Sequence, residues 1–444
     1  MKLQKIFYLL LILALSLSAC NTASPAIEDT HDLPSKSFGI EKGAAAAALS
    51  SAKPQELPAT SINAPIPSQP ASTGPSATSV AAPTDVPAAS AVPTSSAPAA
   101  IGPDSKNIPD GYNPLTGLPV ADPALLKLPA VLISITNFPP SARPQAGLSF
   151  APWVFELYIA EGMTRYLAAF YGSYPKIPIS TDPSATPVPA TAVQVGPVRS
   201  GRLPYVYIRD FFQNSCLVYA GATVEIRDRL KGCAFVFGAD TTNINSAMLD
   251  ATRLQKIAQT NQRSYDQFNY SGNLFTSAPQ SQGLAAALIH TYYSLFNQGQ
   301  WQYNPDTGQY LKFDDFANGD GKFTPATDRL NGSQLSFSNV VVLYTRHTVI
   351  SPYIIDIQMA QGERGKAIIF RDGQKFDAFW STIGGDYEKS TLLRRPLRFE
   401  TADGNPFTLK PGQTWIHIVT LPTEVLDKGS GNWLVQFYAP LGAK

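Results

Sequence analysis

The stretch KAIIFRDGQKFDAFW, residues 366–380, sets two β-rich runs on either side of an Asp-Gly pair. Asp-Gly suits a two-residue turn whose central residues need positive φ, so the pair predicts a hairpin turning at Asp372-Gly373. The same sign recurs downstream in LRFETADGNPFTL, residues 397–409, at Asp403-Gly404. Upstream, WQYNPDTGQYLKF (301–313) reads as strand, Asp-x-Gly turn, strand. NVVVLYTRHTVI (339–350) and YIIDIQMA (353–360) read as strands around Ser351-Pro352. This part of the chain is therefore expected to be mostly antiparallel β.

Further upstream the pattern mixes. GLAAALIHTYYSLF (283–296) predicts a helix from its alanine and leucine content. AMLDATRLQKIA (247–258) carries apolar residues at helical spacing, and residues 202–212 and 224–230 also read as helices. PAVLISITN (129–137) reads as a buried strand. WVFELYIA (153–160) and TRYLAAFY (164–171) follow as a pair turning at Glu161-Gly162. The expected class is α+β: a mixed α/β N-terminal domain over 111–282, then a mostly antiparallel β C-terminal domain over 283–444. ISTDPSATPVPATAVQ (179–194) interrupts the first domain and is expected to form a surface loop.

The first residues point to export. Lys2 and Lys5 form a positive head, residues 6–17 are almost wholly apolar, and Leu-Ser-Ala precedes Cys20. These are the parts of a secretory signal over residues 1–19, and Leu-Ser-Ala-Cys resembles the bacterial lipobox, in which the cysteine is lipidated. Residues 20–110 read as a disordered tether. From residue 43 onward they hold twelve prolines, much Ala, Ser and Thr, and little charge. Such a segment buries too little apolar surface to fold and acts as a semi-rigid spacer. The expected location is the outer face of the bacterial cytoplasmic membrane, held by a lipid anchor.

A net charge of +1 over 444 residues gives no reason to expect a nucleic-acid partner. Four histidines and two further cysteines without paired spacing give no zinc signature, and no cofactor is expected. Cys216 and Cys233 allow a disulfide outside the cytoplasm, with two buried thiols as the alternative.

Several motifs occur in a set order. YNPLTGLP (112–119), ARPQAGLS (142–149), EGMTRYLAAF (161–170) and GPVRSGR (196–202) are followed by WQYNPDTGQY (301–310), NVVV (339–342) and residues 365–419. Together they resemble the N- and C-terminal domains of the YerB-like lipoproteins, a family without an assigned function. That family tends to carry histidines where this chain has Tyr219-Ala220-Gly221, Gly272-Asn273-Leu274-Phe275 and Pro325-Ala326-Thr327. Any chemistry those histidines perform is missing here.

The candidate site is built on arginine. Arg165 sits in an apolar strand, and Arg199 and Arg202 lie in the loop that opens a helix. Guanidinium forks and a helix start both favour phosphate or carboxylate. Glu156 and Glu161 on the preceding strand and turn are the expected partners if the arginines only tie the fold together. With Asn137 and Gln145, Glu156 is also a candidate floor for a ligand groove. As a pair, Glu156 and Glu161 suit acid–base work on a glycan, although five residues along a strand set them on opposite faces. DDFANGDGKFTPATD (314–328) lacks two ligands of a calcium loop, and there is no serine elbow, zinc-helix or phosphate-loop motif. The expected function is an envelope lipoprotein, a binding or scaffold protein that recognises an anionic wall component or a partner protein. A glycan-directed hydrolase or transferase is the alternative.

Overall fold

In a computed structural model the described residues are 100–176, 193–240, 242–262 and 267–444. The signal, Cys20, the tether as far as residue 99 and residues 179–192 of the insert lie outside them. The folded body begins earlier than the expected residue 111. Ile101 exchanges both backbone hydrogen bonds with Phe275, at 2.9 and 2.8 Å, so residues 101–110 belong to the body and not to the tether.

In chain order the main elements begin with strands β1 (Val131–Thr136), β2 (Trp153–Ala160) and β3 (Met163–Phe170). Helix α1 (Tyr205–Phe211), β4 (Cys216–Tyr219), α2 (Val224–Leu230), β5 (Ala234–Phe235) and α3 (Thr252–Asn261) follow. Next come β6 (Leu288–Ser294), β7 (Asn297–Asn304), β8 (Gln309–Asp315) and β9 (Asn339–Tyr344). The Asp-Gly hairpin is β10 (Arg364–Arg371) and β11 (Gln374–Ser381), with Arg371 opposite Gln374. The chain closes with α4 (Asp386–Thr391), β12 (Thr414–Val419), β13 (Glu424–Asp427) and β14 (Asn432–Gln436). The protein is mostly β with few helices, and its sheets are mixed.

One large sheet runs β11-β10-β9-β12-β2-β3-β1-β4-β5. It draws on both sides of residue 283. β12 lies parallel between β9 and β2, with Thr414 beside Trp153 and His417 beside Glu156. Every residue of β1, β2, β9 and β12 is buried. That explains why these strands read as unbroken apolar runs, as strands covered on both faces do.

The two faces bury different cores. On one face Val154, Tyr158, Ala168 and Trp415 pack against a second sheet, β8-β7-β6-β14-β13, through Ile289, Trp301 and Val435. On the other, Phe155, Leu157, Leu167 and Ile416 pack with Tyr205, Ile208 and Phe211 of α1. Fully burying one such aliphatic or aromatic side chain contributes about 1.5–3 kcal/mol.

The helix expected over 283–296 is instead the strand β6. Its burial alternates along the chain, placing Ile289, Thr291 and Tyr293 inward. Threonine, isoleucine and two tyrosines fit a half-buried pleat, and pairing to β7 and β14 overrides the alanine content upstream. The expected helices over 202–212 and 247–258 form as Tyr205–Phe211 and Thr252–Asn261, and that over 224–230 at its full length.

Cys216 and Cys233 are joined by a disulfide, with Cα atoms 5.4 Å apart and a sequence separation of 17. It staples the segment before β5 to β4. Closing a loop of that length restricts the unfolded chain, so reduction should cost about 3 kcal/mol. Urea unfolding with and without a thiol reductant reads this directly; coincident midpoints would show that the bridge contributes nothing.

Candidate anion-binding site

The loop from Gly196 to Arg202 is fastened on both sides by its backbone. Thr136 N donates to Pro197 O at 3.0 Å and Arg199 N to Ser134 O at 2.9 Å, so the loop extends the edge of β1. On the other side Ala220 N donates to Arg199 O and Gly201 N to Gly221 O, each at 2.9 Å, tying it to the end of β4. A Cβ at Gly201 would collide with Leu230 and press on Tyr219. Leu230 would have to shift to admit a larger residue, so glycine lets the loop lie close against the end of β4.

The start of α1 does not act as an anion site, contrary to expectation. The helix is one short segment of seven residues. Its first N–H groups are already used, Tyr205 N by Arg202 O at 3.0 Å and Val206 N by Leu203 O at 3.1 Å. The guanidinium groups are what remains.

Arg165 projects from β3 on the α1 face and is 7% exposed. Its Nη1 donates to Ser200 O at 3.1 Å. Since Ser200 sits between Arg199 and Arg202, this bond brings the three side chains into one neighbourhood. Arg199 Nη2 donates to Asn245 Oδ1 at 3.0 Å. The Nε atoms of all three arginines are buried and have no partner among the described residues. No ion pair among those residues includes any of the three. Burial, then the positive charges of Arg202 and Arg199, push the Arg165 pKa down to about 9. Burial lowers Arg199 and Arg202 as well.

Glu156 does not serve these arginines. It faces the second sheet, on the opposite side of the large sheet from Arg165. Its Oε1 accepts from Thr164 Oγ1 at 2.7 Å and its Oε2 from Trp415 Nε1 at 3.0 Å. His417 Nδ1 lies 3.2 Å from Oε2. Trp301 Nε1 donates to His417 Nε2 at 3.0 Å; an indole N–H can only donate, so the imidazole proton sits on Nδ1, facing Glu156. Burial raises the carboxyl pKa, but the hydrogen bonds from His417 and Thr164 and the charge of Lys312 outweigh it and hold Glu156 below the usual carboxylate range. Lys312 pairs with Asp314. Its ammonium lies 5.3 to 6.0 Å from the ring centroids of Tyr166, Trp301 and Trp415.

The expected polar floor dissolves for the same reason. Asn137 Nδ2 donates to Thr164 Oγ1 at 2.8 Å, on the face of Glu156, and Gln145 Nε2 donates to Thr136 O at 3.1 Å. Glu161 is exposed at the β2–β3 turn, apart from the buried Glu156, so the two do not form an acid–base pair. In the acidic loop Asn318 Oδ1 accepts from Asp320 N and Asp320 Oδ1 from Lys322 N, so its side chains close local turns. Sequence reading missed Asn245 and Lys312. Nothing marks the first; the second shares the parity of the inward Tyr310 on β8, which was a usable sign.

Beside Arg202 lies an apolar cleft of ≈ 150 Å³. Leu157, Met163, Leu203, Pro204, Ile226 and Ile354 line it, and Glu161 borders it at the turn.

Models of a protein of unknown function (DUF3048) match residues 115–282 for its N-terminal domain and 289–416 for its C-terminal domain. The "Putative lipoprotein YerB" of Bacillus subtilis (strain 168) is 25% identical over 339 residues, covering 72% of this chain and 89% of that protein. The crystal structure of the YerB protein from Bacillus subtilis matches with a TM-score of 0.51 at 23% identity, over 69% of this chain and 96% of that one. At that identity the likeness speaks for the fold.

Proposed function

The chain belongs to the DUF3048 family of proteins of unknown function, and from that premise we propose that it is a lipid-anchored envelope protein that binds an anionic group at Arg165, Arg199 and Arg202 without transforming it. The single observation that carries the binding reading is that three neighbouring arginines, Arg165 buried and Arg199 and Arg202 half-buried, each keep a buried Nε with no partner among the described residues. Uncompensated buried charge costs several kcal/mol, and a bound anion offsets that cost. The anchoring rests on the signal-like residues 1–19, on Cys20 and on a relative named as a lipoprotein. No helix among the described residues is long and apolar enough to cross a membrane. The Pro-rich composition of residues 43–110 suits a spacer, and a partner in the wall fits that reading: an anionic glycan, or an envelope protein presenting acidic groups. No observation favours the glycan-hydrolase alternative, because its first carboxylate is buried and paired.

Retention on purified anionic wall glycan tests this. Arg199→Ala and Arg202→Ala should each weaken retention roughly tenfold or more, as expected for a lost charge-assisted hydrogen bond, and added salt should weaken the wild type. Melting temperatures measured alongside separate lost binding from lost folding. Equal retention by wild type and both well-folded variants would sink the assignment.

A further inference from the structure

We propose that the anion is a phosphate monoester bearing an apolar group, with phosphate oxygens at the arginines and the apolar group in the cleft beside Arg202. This rests on the anion-binding reading above and narrows it to a ligand class.

Two features meet at Arg202. Its side chain belongs to the arginine trio, with a buried Nε that has no partner among the described residues. It also lines a cleft whose other walls are Leu157, Met163, Leu203, Pro204 and Ile226. An anion seated on the trio therefore has apolar surface immediately beside it. The cleft measures ≈ 150 Å³, and a cavity of about that volume takes a benzene ring. Inorganic phosphate leaves this space unfilled.

Charge decides between acids. None of the three arginines has an ion-pair partner among the described residues. A phosphate monoester brings about −1.5 to −2 at neutral pH and three oxygens for planar forks, whereas a carboxylate brings one charge and two oxygens. Glu161 borders the cleft at the β2–β3 turn and disfavours an anion there. The polar end is thus directed to Arg202 and the apolar end inward.

Calorimetric titration of the full-length protein with inorganic phosphate, phenyl phosphate and benzoate tests the proposal. Phenyl phosphate is expected to bind roughly tenfold or more tightly than inorganic phosphate, the increment from burying a ring's apolar surface. Benzoate is expected to be the weakest. Thr223, an exposed residue on the cleft's lining, supplies the control. Thr223→Trp fills the cleft and should abolish the phenyl advantage while leaving inorganic phosphate binding unchanged. If phenyl and inorganic phosphate bind equally, and both weaken in Arg202→Ala, the anion reading stands and the apolar arm is overturned. Benzoate binding as tightly as phenyl phosphate overturns the phosphate assignment. If neither phosphate binds, or Arg202→Ala changes nothing, both readings fall together.

Discussion

Glu156→Gln is expected to lower the free energy of unfolding by about 3 kcal/mol and to flatten its dependence on acid. The carboxylate is 4% exposed, and its two oxygens face Thr164, Trp415 and His417. A glutamine has nearly the same shape but one acceptor fewer. Its amide N–H groups would face donors, leaving buried donors unpaired, and each costs about 1–3 kcal/mol. The Lys312 ammonium also loses a compensating charge. The sign with pH follows from a native pKa held below the ordinary 4.5. This stabilisation is fully present above pH 4.5 and is lost as pH falls through the lowered native value. Urea unfolding of wild type and variant across that range should show the two stabilities converging as the medium is acidified. A variant as stable as wild type at pH 7 would remove Glu156 from the architecture and restore it as a candidate for chemistry.

The second large effect has the opposite sign. Arg165→Met should raise stability in phosphate-free buffer by about 1–3 kcal/mol and abolish phosphate binding. The guanidinium is buried beside two others, its pKa pushed down to about 9 yet still charged at neutral pH. Methionine fills a similar volume without that charge. Ser200 O, which accepts from Arg165, keeps the Ser134 hydroxyl at 3.2 Å. Thermal unfolding in chloride-only and phosphate buffers reads both halves of the expectation. Phosphate should raise the wild-type melting temperature and leave the variant unmoved. A destabilised Arg165→Met would mean that the three arginines are structural, with partners that bind them more strongly than solvent does.

Local chemistry made much of this legible beforehand. Asp372-Gly373 declared its hairpin because few residues besides Asp-Gly suit that turn. α3 declared itself through its spacing. Residues 283–296 misled because alanine-rich composition is a weak preference, whereas the register of β6 between β7 and β14 is fixed by distant partners. The arginine site was half legible. Arg199 and Arg202 announced themselves in a Gly-Pro loop, but which face Arg165 took depended on its register opposite Leu157 across the β2–β3 turn. That register sends Glu156 and Arg165 to opposite sides of one sheet. The placement of β12 beside β2 was beyond local reading altogether, since parallel pairing leaves no turn to mark it.

That placement has a consequence for how the molecule comes into being. β2 and β9 are joined only by a strand that leaves the ribosome late, so a nascent chain stopped short of Thr414 exposes two unsatisfied edges in the middle of its hydrophobic architecture. Native structure must wait for nearly the whole polypeptide, and assembly dominated by such remote partners is slow. On the export route proposed above, this delay disfavours premature compaction on the synthesising side by connectivity itself. Until β12 arrives, the open edges of β2 and β9 invite pairing with neighbouring chains.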